Sequence, residues 1–301
     1  VAAIDCGTNS TRLLVVDGTG EPLRRLMRIT RLGQGVDATH ALDADALGRT
    51  LAVLAEFRRE MDALGVARTR LVATSAVRDA ANGQEFLDAA TAAVGAPAEM
   101  LSGEEEGRLA YAGATADLDP SVDAVVVDIG GGSTELIVGG PGEVHAVSLE
   151  LGCVRLTERY LAHDPPSGEE LARATAAIGA ELDRARAALP ALDDGALGRR
   201  LVGLAGTVST LSALEQGMAE YDRERIHHSV LTLPRVEHWC AVLAAEPASA
   251  RASRAGMAPG RQDVIVGGAL VLREVMARFD FTECLVSESD ILDGLVATVR
   301  R

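Results

Sequence analysis

The sequence predicts an α/β protein built from two related domains, and three observations lead there. A short phrase is written twice, as "DCGTNSTRLLV" at Asp5–Val15 and "DIGGGSTELIV" at Asp128–Val138, with six of eleven positions identical. Around each copy, strand-like runs of Val, Ile and Leu alternate with segments whose apolar residues recur at helical spacing. Between the copies lies "DLDPSVD" (Asp117–Asp123), a polar stretch with Pro120 that marks a boundary. The domains are therefore expected at residues 1–118 and 122–288, with a closing helix over about 289–301.

The elements follow in order. "VAAIDC" and "TRLLVVDG" read as strands around the turn Gly7-Thr8-Asn9, and "LRRLMRITRLGQGV" continues extended. Leu47, Leu51, Leu54, Phe57, Met61 and Leu64 recur at three- and four-residue spacing, which predicts a helix. "TRLVATSAVRDAAN" reads as a strand leading into a loop, "GQEFLDAATAAVG" as a helix, "AEMLSG" as a short strand and "EEEGRLAYAGATA" as a helix. The second half restarts with the buried strand "AVVVDI" and continues through the strand "HAVSLELG". A long amphipathic helix then opens on the capping box Ser167–Glu170. "RRLVGLAGTVSTLSAL" is strand, glycine turn and helix; "QDVIVGGALVLREVMARF" is a buried helix; "ECLVSES" is a last strand.

Composition narrows the function classes. The chain has 301 residues, 48% of them hydrophobic, enough for two cores, but aromatics are only 3%, so Ala, Val and Leu must build them. No apolar run approaches the ~18 residues of a membrane span, and no leader peptide is visible. The four cysteines form no CxxC pair, which argues against zinc and a disulfide framework and makes a reducing cytoplasm the expected location. The adjacent His227 and His228 cannot easily face one metal from a helix or strand, so they read as structural or surface residues. A net charge of −15 argues against nucleic acid as partner. All 29 basic residues are Arg, whose planar fork suits phosphate oxygens, so a polyanionic substrate needs only a few of them gathered at one site.

Each copy of the repeated phrase is a strand, a turn of small residues and a second strand. Gly7, Thr8, Asn9, Ser10 and Thr11 in one, and Gly130, Gly131, Gly132, Ser133 and Thr134 in the other, offer backbone N–H groups and hydroxyls to an anion. Two such hairpins would grip a phosphate chain from opposite sides of a cleft between the domains. Asp128 and Glu135 flank the second turn on opposite arms, where both carboxylates can reach one ion, Mg²⁺ or alternatively Mn²⁺. The first copy has Arg12 in place of Glu135, so one arm offers a carboxylate and the other a cation. Asp5 either assists the ion through water or caps its own turn. Gly206 and Thr207 in "LAGTVST" sit at a helix start suited to holding a further phosphate.

Hydrolysis of a phosphoanhydride also needs a base for the attacking water. In "SGEEEGRL", Ser102 and Glu105 read as a capping box and Glu104 as a first-turn acid, which leaves Glu106 without a local structural task. Arg78 follows a strand where a loop would open into the cleft. Arg31 and Arg261 are either substrate contacts or solvated surface arginines. Cys6 and Cys153 lie near the proposed loops, but nothing points to a nucleophilic role.

The paired phrases resemble the phosphate loops of the actin, sugar kinase and Hsp70 superfamily. More narrowly, "DCGTNSTRLL", "RLGQGV", "ATSAVRDAAN", "SGEEEGRLAYAG", "VDIGGGSTEL", "LGCVRLTERY", "GLAGTVSTL", "RAGMAPGRQDVI" and "VSESDILDGL" resemble the exopolyphosphatase and guanosine pentaphosphate phosphohydrolase (Ppx/GppA) family, in its order. The resemblance implies two actin-like, ribonuclease H-like domains, with the closing helix packed back on the first. It places the base on Glu106, two residues before the Arg of its motif, and supports a phosphate role for Arg78. The implied activity is Mg²⁺-dependent removal of terminal phosphate from inorganic polyphosphate; the alternative substrate is guanosine pentaphosphate. A weakly active or non-catalytic sensor of polyphosphate or guanosine tetraphosphate is a further reading. A kinase of the superfamily would need an acceptor Asp and an adenosine pocket, and the Glu106 motif argues against it. A homodimer is the family-level expectation.

Overall fold

The computed structural model describes residues 1–119, 123–139, 143–192 and 199–300. Pro120–Val122, the middle of the boundary stretch and the expected start of the second domain, lie outside the described residues. The chain forms two compact units, one of Val1–Gly113 with Asp290–Arg301 and one of Ala114–Ser289.

In chain order the first unit contains β1 (Ala2–Cys6), β2 (Ser10–Val16), β3 (Pro22–Ile29), α1 (Val36–Thr39), α2 (Ala44–Ala63), β4 (Thr69–Ala73), α3 (Ser75–Arg78), α4 (Gly83–Val94), β5 (Ala98–Met100) and α5 (Gly103–Ala114), whose last residue falls in the second unit. The second contains β6 (Ala124–Ile129), β7 (Thr134–Gly139), β8 (Val144–Leu149), α6 (Cys153–Tyr160), α7 (Gly168–Ala188), β9 (Arg200–Leu204), α8 (Ala205–Glu215), α9 (Arg223–Ile226), β10 (Val230–Thr232), α10 (Leu233–Ala244), α11 (Ala248–Ala252), α12 (Ile265–Arg278) and β11 (Glu283–Val286). The last helix, α13 (Ile291–Arg300), belongs to the first unit.

Each unit is organised around one sheet, in the order β3-β2-β1-β4-β5 in the first and β10-β11-β9-β6-β7-β8 in the second. Both begin with three antiparallel strands and continue with parallel ones, the second sheet closing on the antiparallel edge strand β10, so β1-β2-β3 corresponds to β6-β7-β8. Phe57, Phe86, Met61, Ile4, Leu13 and Leu71 are buried in the first core. The larger second core joins β6, β7 and β9 to α7, α8, α10 and α12.

Local signals set several boundaries. Asp43 starts α2 by accepting the N–H groups of Asp45 and Ala46 at 3.0 and 3.1 Å, a cap worth about 1 kcal/mol. The Ser167–Glu170 box forms in both directions: Glu170 N–H donates to Ser167 Oγ at 3.2 Å, and Ser167 N–H donates to Glu170 Oε2 at 2.8 Å. Three details differ from the periodicity. "SAVR" closes into the helical turn α3 rather than a loop. β7 is buried along its whole length, because it lies inside a six-stranded sheet. The stretch between α8 and α12, left unassigned by sequence pattern, forms α9, β10, α10 and α11.

Candidate active site

In the second unit the repeated phrase forms the β6–β7 hairpin. Its turn closes by Gly130 N–H donating to Ser133 C=O at 3.0 Å. Asp128 stands directly opposite Glu135, so both side chains leave the same face of the sheet. The next strand continues the row: Glu135 faces Ser148 of β8, whose Oγ donates to Glu135 Oε1 at 2.7 Å. Asp128 is 8% exposed and Glu135 only 1%. The glycine turn is held from behind by α6. Cys153 N–H donates to Gly130 C=O at 3.0 Å, Val154 and Arg155 N–H to Gly131 C=O at 2.9 and 3.1 Å, and Arg155 Nε to Gly132 C=O at 2.6 Å. Only glycine fits at 152, since a Cβ there would lie 2.1 Å from Gly131 O.

The start of α8 is close by in the chemistry it carries. Ala205 takes a left-handed φ of 64°, and the Arg261 guanidinium lies where a Cβ on Gly206 would be, within 1.8–1.9 Å of it. Thr207 is buried against Gly268. Burial raises the Cys153 thiol, with Arg261 only partly opposing it. Cys6 is raised well above its ordinary value by burial and by Asp5, and burial pushes Cys240 and Cys284 to about 12. All four thiols stay protonated at neutral pH.

The first unit repeats the hairpin with different chemistry. Gly7 N–H donates to Ser10 C=O at 3.0 Å, as in the second copy, and Asp5 stands opposite Arg12. Arg12 donates to Asp5 Oδ2 through Nε at 3.0 Å and Nη2 at 2.7 Å, and also to Asp290. Burial raises the Asp5 carboxyl despite Arg12. Burial also pushes Asp290 upward, but Arg12 and Arg25 outweigh it and hold that carboxyl below its ordinary range. Asp5 therefore serves an internal ion pair in this structure.

The rest of the first hairpin is tied to its neighbours. Thr8 Oγ1 lies 3.0 Å from Ser75 Oγ, and Thr11 Oγ1 2.9 Å from Thr30 Oγ1. Asn9 C=O accepts the N–H groups of Thr30 and Arg31, while Asn9 Nδ2 is buried without a hydrogen-bond partner. Arg31 has a left-handed φ of 51°, and Gly33 packs so closely on Thr8 that a Cβ there would lie 2.3 Å from Thr8 Cγ2. The "RLGQGV" loop is thereby brought to the glycine turn.

Three consecutive glutamates at the start of α5 have three different fates. Glu104 pairs with Arg108 at 2.7 Å and is exposed. Glu105 N–H donates to Ser102 Oγ at 3.2 Å, and its carboxylate pairs with Arg70 at 2.9 Å. Glu106 is buried, and Arg78 Nη1 reaches its Oε2 at 3.5 Å while donating to Leu101 C=O at 2.9 Å.

The adjacent histidines share a partner, the Asp117 carboxylate. His227 caps α9, and His228 has φ 62°, which is neither helix nor strand and turns its ring back onto its neighbour. His227 Nε2 lies 2.8 Å and His228 Nε2 3.6 Å from the Asp117 carboxylate. His227 Nδ1 accepts Glu288 N–H at 3.1 Å, which leaves the ring proton on Nε2 to donate to Asp117. A cation at Nε2 would need that proton moved to Nδ1, against the Glu288 N–H, so the cluster suits a hydrogen-bonded clasp better than a metal. Burial lowers the His227 pKa, with Asp117 opposing. A separate cavity of about 390 Å³ among α7, α10 and α12, lined by Leu171, Thr175, Cys240 and Arg273, holds none of the sequence-predicted site residues.

Two buried carboxylates directly opposite each other repel, and a hard divalent ion is the partner their oxygen chemistry fits. Asp128 and Glu135 thus suit Mg²⁺ or Mn²⁺. Sequence reasoning gave no role to Ser148, Arg155, Gly152, Ser75 or Asp290. Ser75, Gly152, Arg155 and Asp290 lay inside quoted motifs, whereas Ser148 becomes visible only through strand register.

Two α/β units with matching three-stranded beginnings, each carrying a glycine hairpin, define a two-domain α/β protein of the kind that the paired phrases predict. The comparisons with known proteins agree. The Ppx/GppA phosphatase family matches residues 14–298, and the chain belongs to that family. Exopolyphosphatase 2 of Mycobacterium tuberculosis is 42% identical over a 316-residue alignment covering 99% of this chain and 98% of that one. A crystal structure of an exopolyphosphatase-like protein superposes with TM-score 0.92 at 36% identity, covering 98% of this chain and 97% of the other. The Aquifex aeolicus Ppx/GppA structure does so with TM-score 0.78 at 32% identity, covering 99% and 96%.

Proposed function

We propose that this protein is a Mg²⁺-dependent exopolyphosphatase that hydrolyses the terminal phosphoanhydride of inorganic polyphosphate and releases phosphate. The observation that carries the reading is the Asp128–Glu135 pair, two buried carboxylates opposite each other on a glycine hairpin. The full-length likeness to an exopolyphosphatase supports polyphosphate as the substrate.

On this reading the backbone N–H groups of the glycine turns hold phosphate oxygens, and Arg78 and Arg261 offset phosphate charge. Asp128 and Glu135 hold the ion, which when bound neutralises charge on the phosphate chain. Glu106 accepts the proton of the attacking water, and its burial beside Arg78 fixes the carboxylate's direction. With every thiol protonated, direct attack by water fits better than a cysteinyl intermediate.

Phosphate release from short-chain polyphosphate and from guanosine pentaphosphate, side by side and with and without Mg²⁺, tests the proposal, with Glu106→Ala as control. Mg²⁺-dependent release from polyphosphate that Glu106→Ala lowers by roughly 10²–10⁴-fold supports it. Faster release from guanosine pentaphosphate would move the substrate to the nucleotide. Binding of either compound without release would leave a sensor.

A further inference from the structure

Strand register extends the carboxylate pair by one residue. Asp128, Glu135 and Ser148 stand side by side on β6, β7 and β8 and share one face of the sheet. The Ser148 hydroxyl donates to Glu135 Oε1 at 2.7 Å. The corresponding row of the first unit is Asp5, Arg12 and Met27, where the third residue has no hydrogen bond to give and is exposed. A hydroxyl in this place is therefore not a requirement of the three-stranded arrangement.

We propose that Ser148 is a positioning residue that makes Glu135 a one-oxygen ligand and so sets the preference of this site for a small divalent ion over Ca²⁺. The inference rests on the reading of Asp128 and Glu135 as the cation-holding pair. Ligation through both Glu135 oxygens would make Oε1 serve the cation and the Ser148 hydroxyl together, which weakens it as a ligand. Mg²⁺ and Mn²⁺ accept single oxygens from one or two carboxylates and keep several waters. Ca²⁺ is larger, takes more oxygens and gains from bidentate carboxylates. A hydroxyl that draws on one carboxylate oxygen thus penalises Ca²⁺ more than Mg²⁺. Its second effect is to fix the rotamer of Glu135, as partners of metal-ligating groups commonly do.

The test is Mn²⁺ binding to the full chain, read by electron paramagnetic resonance, followed by displacement with Mg²⁺ and with Ca²⁺. Ser148→Ala is expected to improve Ca²⁺ displacement relative to Mg²⁺ by roughly tenfold, with Ser148→Thr close to wild type. An unchanged Ca²⁺-to-Mg²⁺ ratio in a folded Ser148→Ala protein overturns the role of Ser148 while leaving the cation site intact. Should Ser148→Ala fail to fold, a Ser148→Thr protein whose ratio moves as far as that of Ser148→Cys overturns it equally, since only Thr keeps the hydroxyl. Mn²⁺ binding that Asp128→Asn does not weaken removes the site itself, and with it the reading on which this inference depends.

Discussion

The first and second hairpins share a turn, a register and a leading Asp, yet they resolve the charge of that Asp in opposite ways. In the first, Arg12 stands across from Asp5 and also reaches Asp290, so the cation is covalently part of the chain. In the second, Glu135 stands across from Asp128, so the row is doubly acidic and is completed by a hydroxyl. The two hairpins keep one backbone register but differ in the residue across from the Asp, so one row is an internal ion pair and the other is the row proposed to hold a cation. The difference separates two properties that a single residue change could otherwise confuse: stability should follow the first row and ion-dependent chemistry the second.

Converting the second row into the first is the strongest way to break this comparison. Glu135→Arg is expected to lower Mg²⁺-dependent phosphate release by more than about a hundredfold and to abolish Mn²⁺ binding, while the fold persists. Retained activity with a normal metal dependence would refute the division of labour. The reciprocal change addresses stability. Arg12→Met leaves Asp5 and Asp290 buried together without their shared cation, and should cost about 3–5 kcal/mol in urea unfolding. Adding Asp5→Asn and Asp290→Asn should recover much of that loss, and failure to recover it would mean that Arg12 acts through packing instead.

The smallest effect lies outside both rows. Glu170 has its pKa lowered from 4.5 to about 2, chiefly by the Ser167 N–H and then by His163. A depressed carboxylate pKa stabilises the folded state above the unfolded value and loses that contribution as pH falls from 4.5 toward 2. Glu170→Gln should therefore destabilise the protein measurably at pH 7 and hardly at all near pH 2. An equal effect at both values would show that the capping box matters through geometry and not through charge.

Much of the fold was legible in the sequence because its signals are local. The Ser167–Glu170 box and the spacing from Leu54 to Met61 each act within a few residues. Glu106 could be singled out because its two neighbours already had helix-start tasks, and the structure pairs those neighbours with Arg108 and Arg70. What escaped depends on distant partners. Asp290 lies far along the chain from Arg12, and only the fold brings them together. Ser148 needs the β7–β8 register, and His228 needs a left-handed backbone that no helical or extended pattern announces. "SAVR" was misread as a loop because one helical turn is too short to establish a period.

The helices α5 and α13 meet at glycines: a Cβ on Gly113 would lie 1.9 Å from Asp290 O, and one on Gly294 2.1 Å from Leu109 O. The first unit is thus closed by backbone synthesised last among the described elements. On the ribosome the second unit, continuous from Ala114 to Ser289, can fold as soon as it emerges, whereas the first must wait for Asp290–Arg300. Until that helix is made, the β1 face on which α13 packs lacks its cover in the nascent first unit.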